Sequence, residues 1–269
     1  MTSKRFNALV FAHAKAEGRH TLPWRATTDS YRILVSEVML QQTQVERVIP
    51  YYERFLKRFP SVADLAKAPL SEVLALWQGL GYNRRAKMLH EAAKVVIRDF
   101  GGRIPETVEE LESLPGVGHY TARAVAAFSS NLDVIFIETN IRTAVIHAFF
   151  PNEETVSDRD VMAVLEKSFP TGRAREWYSA LMDYGASLKR QGVRINRKST
   201  TYTKQKTFKG SSRQARGAIL RALLSGPKRE AGLVTVLGTE RSVQLKDALK
   251  ALHAEGLVER VRGVYRLPR

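Results

Sequence analysis

The chain has 269 residues, 44% of them aliphatic or aromatic and 26% charged, which suits one large and one small folded domain and excludes a wholly disordered protein. A formal charge of +16 and a pI near 10.2 make a strong positive field; its commonest partner is a phosphate backbone, with ribosomal or membrane-surface binding as rivals. The absence of cysteine excludes disulfides, Cys-ligated zinc and thiolate-held iron–sulfur clusters, and no apolar run approaches the ~20 residues of a membrane span, so a protein of the bacterial-type cytoplasm is expected.

From Phe6 to about Ala186, apolar residues recur at three- and four-residue steps between Gly and Pro breaks, the pattern of successive short amphipathic helices. The first with chemical interest covers Tyr31 to Leu40 and contains Glu37 among Val35, Val38, Met39 and Leu40. Periodicity alone favours the wet face of that helix for Glu37; if it were poorly solvated instead, its carboxyl would hold a proton toward neutral pH. Further helix starts are expected at Ser61, Ser71 and Ser157, and Thr107 with Glu110 reads as a capping box.

Leu114, Pro115, Gly116, Val117 and Gly118 lie between that capped helix and the helical pattern Ala122, Val125, Ala126 and Phe128. Two glycines let the backbone approach a ligand, and the next helix N-terminus offers unpaired N–H groups, a combination suited to holding a DNA phosphate without reading sequence. The plainer alternative is a helix connection that binds nothing. Glu138 follows the apolar run Val134 to Ile137 and precedes Thr139 and Asn140, where an acid can cap the helix containing Ile141, Val145 and Ile146.

Residues 189–211 read as a basic linker: Lys189, Arg190, Arg194, Arg197, Lys198, Lys204, Lys206 and Lys209 occur there without one acid, interleaved with Tyr202 and Phe208. A solvated tether and a strand of positive charge laid along DNA both fit, and the aromatic residues favour the second. Residues 212–269 then read as helices over Arg216 to Leu224, Ala231 to Leu237 and Val243 to Glu255, followed by a two-stranded hairpin turning at Gly263. That order resembles a winged helix-turn-helix, whose third helix would enter a groove while the wing touches phosphates, although many winged helices instead bind protein.

Four blocks together carry a resemblance: Leu22, Pro23 and Trp24; Ser36 to Val45; Trp77 with Gly79 to Tyr82; and the Leu114 to Gly118 hairpin. Over roughly residues 6 to 187 the chain resembles the MutY-type adenine DNA glycosylases of the helix-hairpin-helix superfamily. The resemblance implies an all-α fold of two lobes, a six-helix lobe over about 29–134 and a second joining 1–28 to 135–188, with the small winged-helix (α+β) domain appended. It implies that Glu37 is the general acid that protonates a flipped base, and that Glu138 is the second carboxylate, which stabilises the sugar cation. Tyr120 and Asn140 complete the catalytic set, and Trp24, Arg25 and Asp183 would line the base. Gln42 and Tyr82 would fill or probe the vacated stack. DNA contact is expected also at Thr43, Leu80, Gly116, Val117, Gly118, Arg197, Lys198 and Lys204.

The chain departs from this family in ways that bear on function. Relatives carry Asp where Glu138 stands, and bifunctional members such as endonuclease III carry Lys where Tyr120 stands, so a monofunctional enzyme that leaves the abasic site uncut is expected. The four cysteines of an iron–sulfur cluster are replaced by the basic segment, which leaves no metal and no cofactor except a monovalent cation at the hairpin. The expected partner is duplex DNA with a mispaired or damaged base, bound by a monomer, with adenine opposite guanine or oxidised guanine as the target. Tyr120 points to a competing thymine/uracil–guanine mismatch glycosylase, and Glu138 in place of Asp to a non-catalytic binder of distorted DNA.

Overall fold

The computed structural model describes residues 1–203 and 207–268. Helices come in the order α1 Ser3–Glu17, α2 Ser30–Leu40, α3 Val45–Arg58, α4 Val62–Lys67, α5 Leu70–Trp77, α6 Arg84–Asp99, α7 Val108–Glu112, α8 His119–Ser130, α9 Thr139–Phe149, α10 Asp158–Ser168, α11 Ala174–Arg190, α12 Ser212–Leu224, α13 Glu230–Leu237 and α14 Ser242–Ala254. Among the described residues, three short strands, β1 Lys228–Arg229, β2 Glu259–Val261 and β3 Val264–Arg266, belong to the C-terminal region. Among the described residues no helix is long and apolar enough to cross a membrane.

Local chemistry accounts for many of these boundaries. Ser61 and Ser157 cap α4 and α10 with reciprocal bonds to Asp64 and Asp160. Thr107 caps α7 through the Glu110 amide, but its own hydroxyl turns to the Glu110 carboxylate, so only half of the expected box forms. Ser71 does not start a helix. Pro69, which has no amide hydrogen to lose, precedes α5, and Ser71 is that helix's second residue.

One compact unit comprises Met1–Glu37, Glu106–Ser113 and Val117–Lys204. Phe6 and Val10 of α1, Ile141 and Val145 of α9, Val161 and Leu165 of α10, and Trp177 and Leu181 of α11 form its core. The extended chain before α9 is pinned to α11, because the Tyr178 hydroxyl donates to the Val134 carbonyl at 2.8 Å and accepts from the Phe136 amide at 3.2 Å, while the two rings stack 3.9 Å apart. Truncating Tyr178 would remove the partner of the buried Phe136 amide, at ~1–3 kcal/mol, and that of the half-buried Val134 carbonyl. The segment read as a basic linker is built into this unit over its first part: Lys189 and Arg190 end α11, and the Val156 amide and carbonyl pair with Lys198 and Thr200.

The second unit comprises Val38–Pro105, Leu114–Gly116 and Gln205–Arg269. Phe55 of α3 meets Phe59 and Trp77 edge to face, and the buried faces of α4 and α5 cover α6. The C-terminal elements follow the order α12, β1, α13, α14, β2, β3, that of a winged helix. Their sheet has a third strand that the hairpin pattern did not disclose, since β1 pairs antiparallel with β3 in the order β1-β3-β2. Arg262 and Gly263 both adopt positive φ, 50° and 80°, which closes the hairpin with the twist that two-residue turns require. Lys87 of α6 donates to the Glu255 carbonyl at 2.6 Å, and Arg216 pairs with the Glu255 carboxylate, which ties α12, α14 and α6 together.

Candidate active site

Helix α2 is buried on nearly every face from Ile33 to Met39, and Glu37 is only 5% exposed. The wet-face position favoured by periodicity is therefore not the one adopted. Tyr120, in the first turn of α8, donates its hydroxyl to Glu37 Oε2 at 2.9 Å. Its ring is held edge-on by Phe136, 5.7 Å away, which is itself stacked on Tyr178. Burial raises the Glu37 carboxyl, the Tyr120 bond lowers it, the Glu138 charge raises it and the Arg25 charge lowers it; the outcome is about 7, against 4.5 for an ordinary glutamate. Near neutral pH this carboxyl is therefore divided between acid and carboxylate. Tyr120 is pushed well above its usual range by burial and by the two carboxylates, so it acts as a donor and not as a base.

Glu138 is the N-cap of α9. Its Oε2 accepts from the amides of Asn140 at 2.6 Å and Ile141 at 3.4 Å, and its Oε1 accepts from Asn140 Nδ2 at 3.1 Å. Burial raises this carboxyl, against the opposing pull of the Asn140 amide, Lys189, the Ile141 amide and Arg142. The two carboxyls differ in their donors: Glu37 meets the Tyr120 hydroxyl, whereas Glu138 sits on a helix N-terminus and feels the charges of Lys189 and Arg142. Both carboxyls end above the ordinary range because burial outweighs what opposes it, and Glu138 differs in being held by backbone amides.

Arg25, in the 3-10 turn Pro23–Arg25, grips Asp183 with two bonds of 2.6 and 3.0 Å, and Arg19 adds a side-chain bond of 2.6 Å and an amide bond of 3.1 Å. Burial would raise the Asp183 carboxyl, but Arg25 and then Arg19 outweigh it and hold the group below the usual carboxylate range. At 2% exposure Asp183 has its oxygens committed to these arginines, and it bears on the site through Arg25, whose charge acts on Glu37. Trp24 is half-buried in the same turn.

The residues expected to probe the DNA stack lie in the second unit. Gln42 and Tyr82 hold φ of 55° and 49°, a left-handed backbone that costs a non-glycine residue ~1–2 kcal/mol. Arg85, which the sequence reading passed over, compensates: its guanidinium donates to the carbonyls of Val38, Met39, Gln41 and Gly81 and to the Thr43 hydroxyl, at 2.7 to 3.2 Å. Burial draws Arg85 down to about 10, so it remains charged at neutral pH. The Tyr82 hydroxyl accepts from Arg213 of α12 at 2.9 Å. Leu80 is buried.

In the hairpin, Gly116 has φ 76° and a Cβ there would collide with Met88, so glycine is required. Val117 is buried, while Gly118, with open space around it, is the N-cap of α8 and has no side chain with which to cap that helix. Arg197 is exposed, but the Lys198 ammonium turns to the carbonyls of Pro151 and Phe150 at 2.7 and 3.4 Å. Lys204 lies outside the described residues.

Residues 35–171 match the HhH-GPD superfamily of base excision DNA repair proteins. The chain is 38% identical over 172 residues to an adenine DNA glycosylase of Buchnera aphidicola (subsp. Baizongia pistaciae), a match covering 64% of this chain and 49% of that protein. It is 36% identical over 262 residues to an adenine DNA glycosylase of Mycolicibacterium smegmatis, covering 90% and 88%. It thus spans about half the length of the first relative and most of the second. A thermostable thymine-DNA glycosylase structure superposes with a TM-score of 0.63 at 31% identity, covering 68% of this chain and 86% of that one. A trapped endonuclease III–DNA complex, at 21% identity and a TM-score of 0.56, shares the fold. An iron–sulfur cluster of the kind many such proteins carry does not fit this chain, which has no cysteine and, among the described residues, no group of three or more His, Asp or Glu that could hold a metal ion.

Proposed function

The chain belongs to the HhH-GPD superfamily of base excision DNA repair proteins, and we propose that it is a monofunctional DNA glycosylase that removes adenine mispaired with guanine or oxidised guanine. The observation that carries this reading is the buried Glu37 carboxyl, raised to about 7 and held by Tyr120 in an environment that also contains Glu138. A flipped adenine is a poor leaving group until it is protonated. Glu37 in its acid form supplies that proton, and as the glycosidic bond lengthens, positive charge grows on the sugar. Glu138 balances that charge, its Oε2 kept in place by the Asn140 and Ile141 amides of α9 and its Oε1 by the Asn140 side chain. Extruding the base costs a few kcal/mol, less at a mispair, and Gln42 and Tyr82 on their strained loops are suited to filling the gap.

Tyr120 occupies the position where bifunctional relatives carry lysine, and a phenol bound to a carboxylate cannot form a Schiff base, so the abasic strand stays intact. The functional division proposed is base flipping and catalysis in residues 1–188, with further DNA contact from 189–211 and from the winged helix of 212–269. Duplex DNA is the partner, engaged by a monomer in the cytoplasm.

The test is incubation with duplexes carrying A·oxidised-G, A·G, T·G or U·G pairs, followed by alkaline cleavage of abasic sites. Strand breaks at adenine that vanish in Glu37→Gln, with DNA binding kept, support the proposal. The likeness to the thymine-DNA glycosylase structure, together with Tyr120, favours a second reading: breaks confined to T·G and U·G would establish it. An active Glu37→Gln would overturn both.

A further inference from the structure

We infer that Lys189 is a positioning residue of the active site, holding Asn140 so that the Asn140 amide faces Glu138. The inference rests on the glycosylase reading and assigns the first residue of the basic stretch to catalysis. Lys189 Nζ lies 2.7 Å from Asn140 Oδ1, while Asn140 Nδ2 lies 3.1 Å from Glu138 Oε1. An ammonium can only donate, so it accepts just one orientation of the asparagine: oxygen toward lysine, NH2 toward the carboxylate. With a neutral or accepting side chain at position 189 the amide could turn over and present its oxygen to Glu138, replacing a bond by a repulsion.

The packing explains how Lys189 reaches this point. A Cβ on Gly185 would collide with the Asn140 backbone carbonyl, so α11 meets the first turn of α9 backbone to backbone. Lys189 stands one turn further along the same face of α11, where its stem spans the remaining gap. The half-buried ammonium is itself drawn down by burial and held up by the Glu138 charge.

Different cations act on the two carboxyls in the same arrangement. Glu138 faces Lys189 from α11, Arg142 from its own helix, Glu37 from α2 and Tyr120 from α8. Lys189 acts on Glu138, whereas the cation that acts on Glu37 is Arg25. Lys189 thus pulls the Glu138 carboxyl down against burial, toward the ionised form that the proposed chemistry needs.

The experiment compares wild type, Lys189→Met and Lys189→Arg by single-turnover base release across pH and by carbon-13 titration of the Glu138 carboxyl in the free protein. In Lys189→Met the Glu138 titration moves up by about one unit and the acid side of the rate profile falls about tenfold, while the alkaline side, set by Glu37, stays in place. Lys189→Arg restores both. A purely structural role predicts instead a loss equal at every pH with the carboxyl titration unmoved, and that result overturns the inference, as does an unchanged Lys189→Met. If wild type releases no base from any duplex, the glycosylase reading fails and the catalytic part of the inference falls with it; the carboxyl titration still decides whether Lys189 governs Glu138.

Discussion

Replacing Glu37 by glutamine is expected to stabilise the protein at alkaline pH while abolishing base release. The folded protein holds the Glu37 proton more tightly than the unfolded chain does, because the buried carboxyl sits at about 7 and not at 4.5. Folding is therefore unpenalised at pH values below the unfolded carboxyl value. As pH rises past 4.5 the unfolded chain ionises and the folded one resists, so stability is lost progressively until about 7 and is level beyond it. A displacement from 4.5 to about 7 amounts to roughly 3 kcal/mol. Glu37→Gln removes the ionisation, keeps the shape and leaves an amide oxygen to accept from Tyr120. For a folded unit of this size, melting temperature moves ~2–4 °C per kcal/mol, so the variant should match wild type near pH 4 and exceed it by on the order of 6–12 °C near pH 8. Thermal unfolding followed by circular dichroism over that pH range reads the difference directly. A difference that does not grow with pH, or a wild type more stable than the variant near pH 8, would refute the claim that Glu37 is stored as an acid at a cost to the fold.

Tyr120→Phe removes the bond that holds Glu37 down, so the alkaline limb of the single-turnover rate profile should move upward from about 7, by roughly one pH unit for a hydrogen bond to a charged group; a limb that stays put or moves to lower pH contradicts the assigned donor role. Arg213→Met and Tyr82→Phe each break the same contact between α12 and the Gly81–Tyr82 loop. In a double-mutant cycle on affinity for mispaired duplex, measured by fluorescence anisotropy, they should therefore show a coupling of about 1–2 kcal/mol; additive losses would show that Arg213 acts on DNA independently of Tyr82.

Fold class and the outline of the site were legible in the amino-acid order because they depend on short-range patterns. Three- and four-residue apolar steps identified the helices, Ser61 and Ser157 marked two starts through bonds spanning three residues, and the Ser36 to Val45 block carried the family resemblance. The C-terminal helix order and the turn at Gly263 are local in the same sense, whereas the pairing of β1 with β3 joins residues more distant in the chain and left no such mark.

What the tertiary structure decided is which face of each element meets which partner. The acid character of Glu37 comes from burial and from a hydroxyl 83 positions away, and Asp183 is consumed by arginines 158 and 164 positions away. Lys189 looked like one charge among many in a basic stretch until α11, packed tightly at Gly185, brought it against Asn140. Desolvation and charge pairing act through space with energies of several kcal/mol and leave no periodicity along the chain, so a titrating glutamate and a solvated one are written with the same letter and are distinguished only by their surroundings after folding.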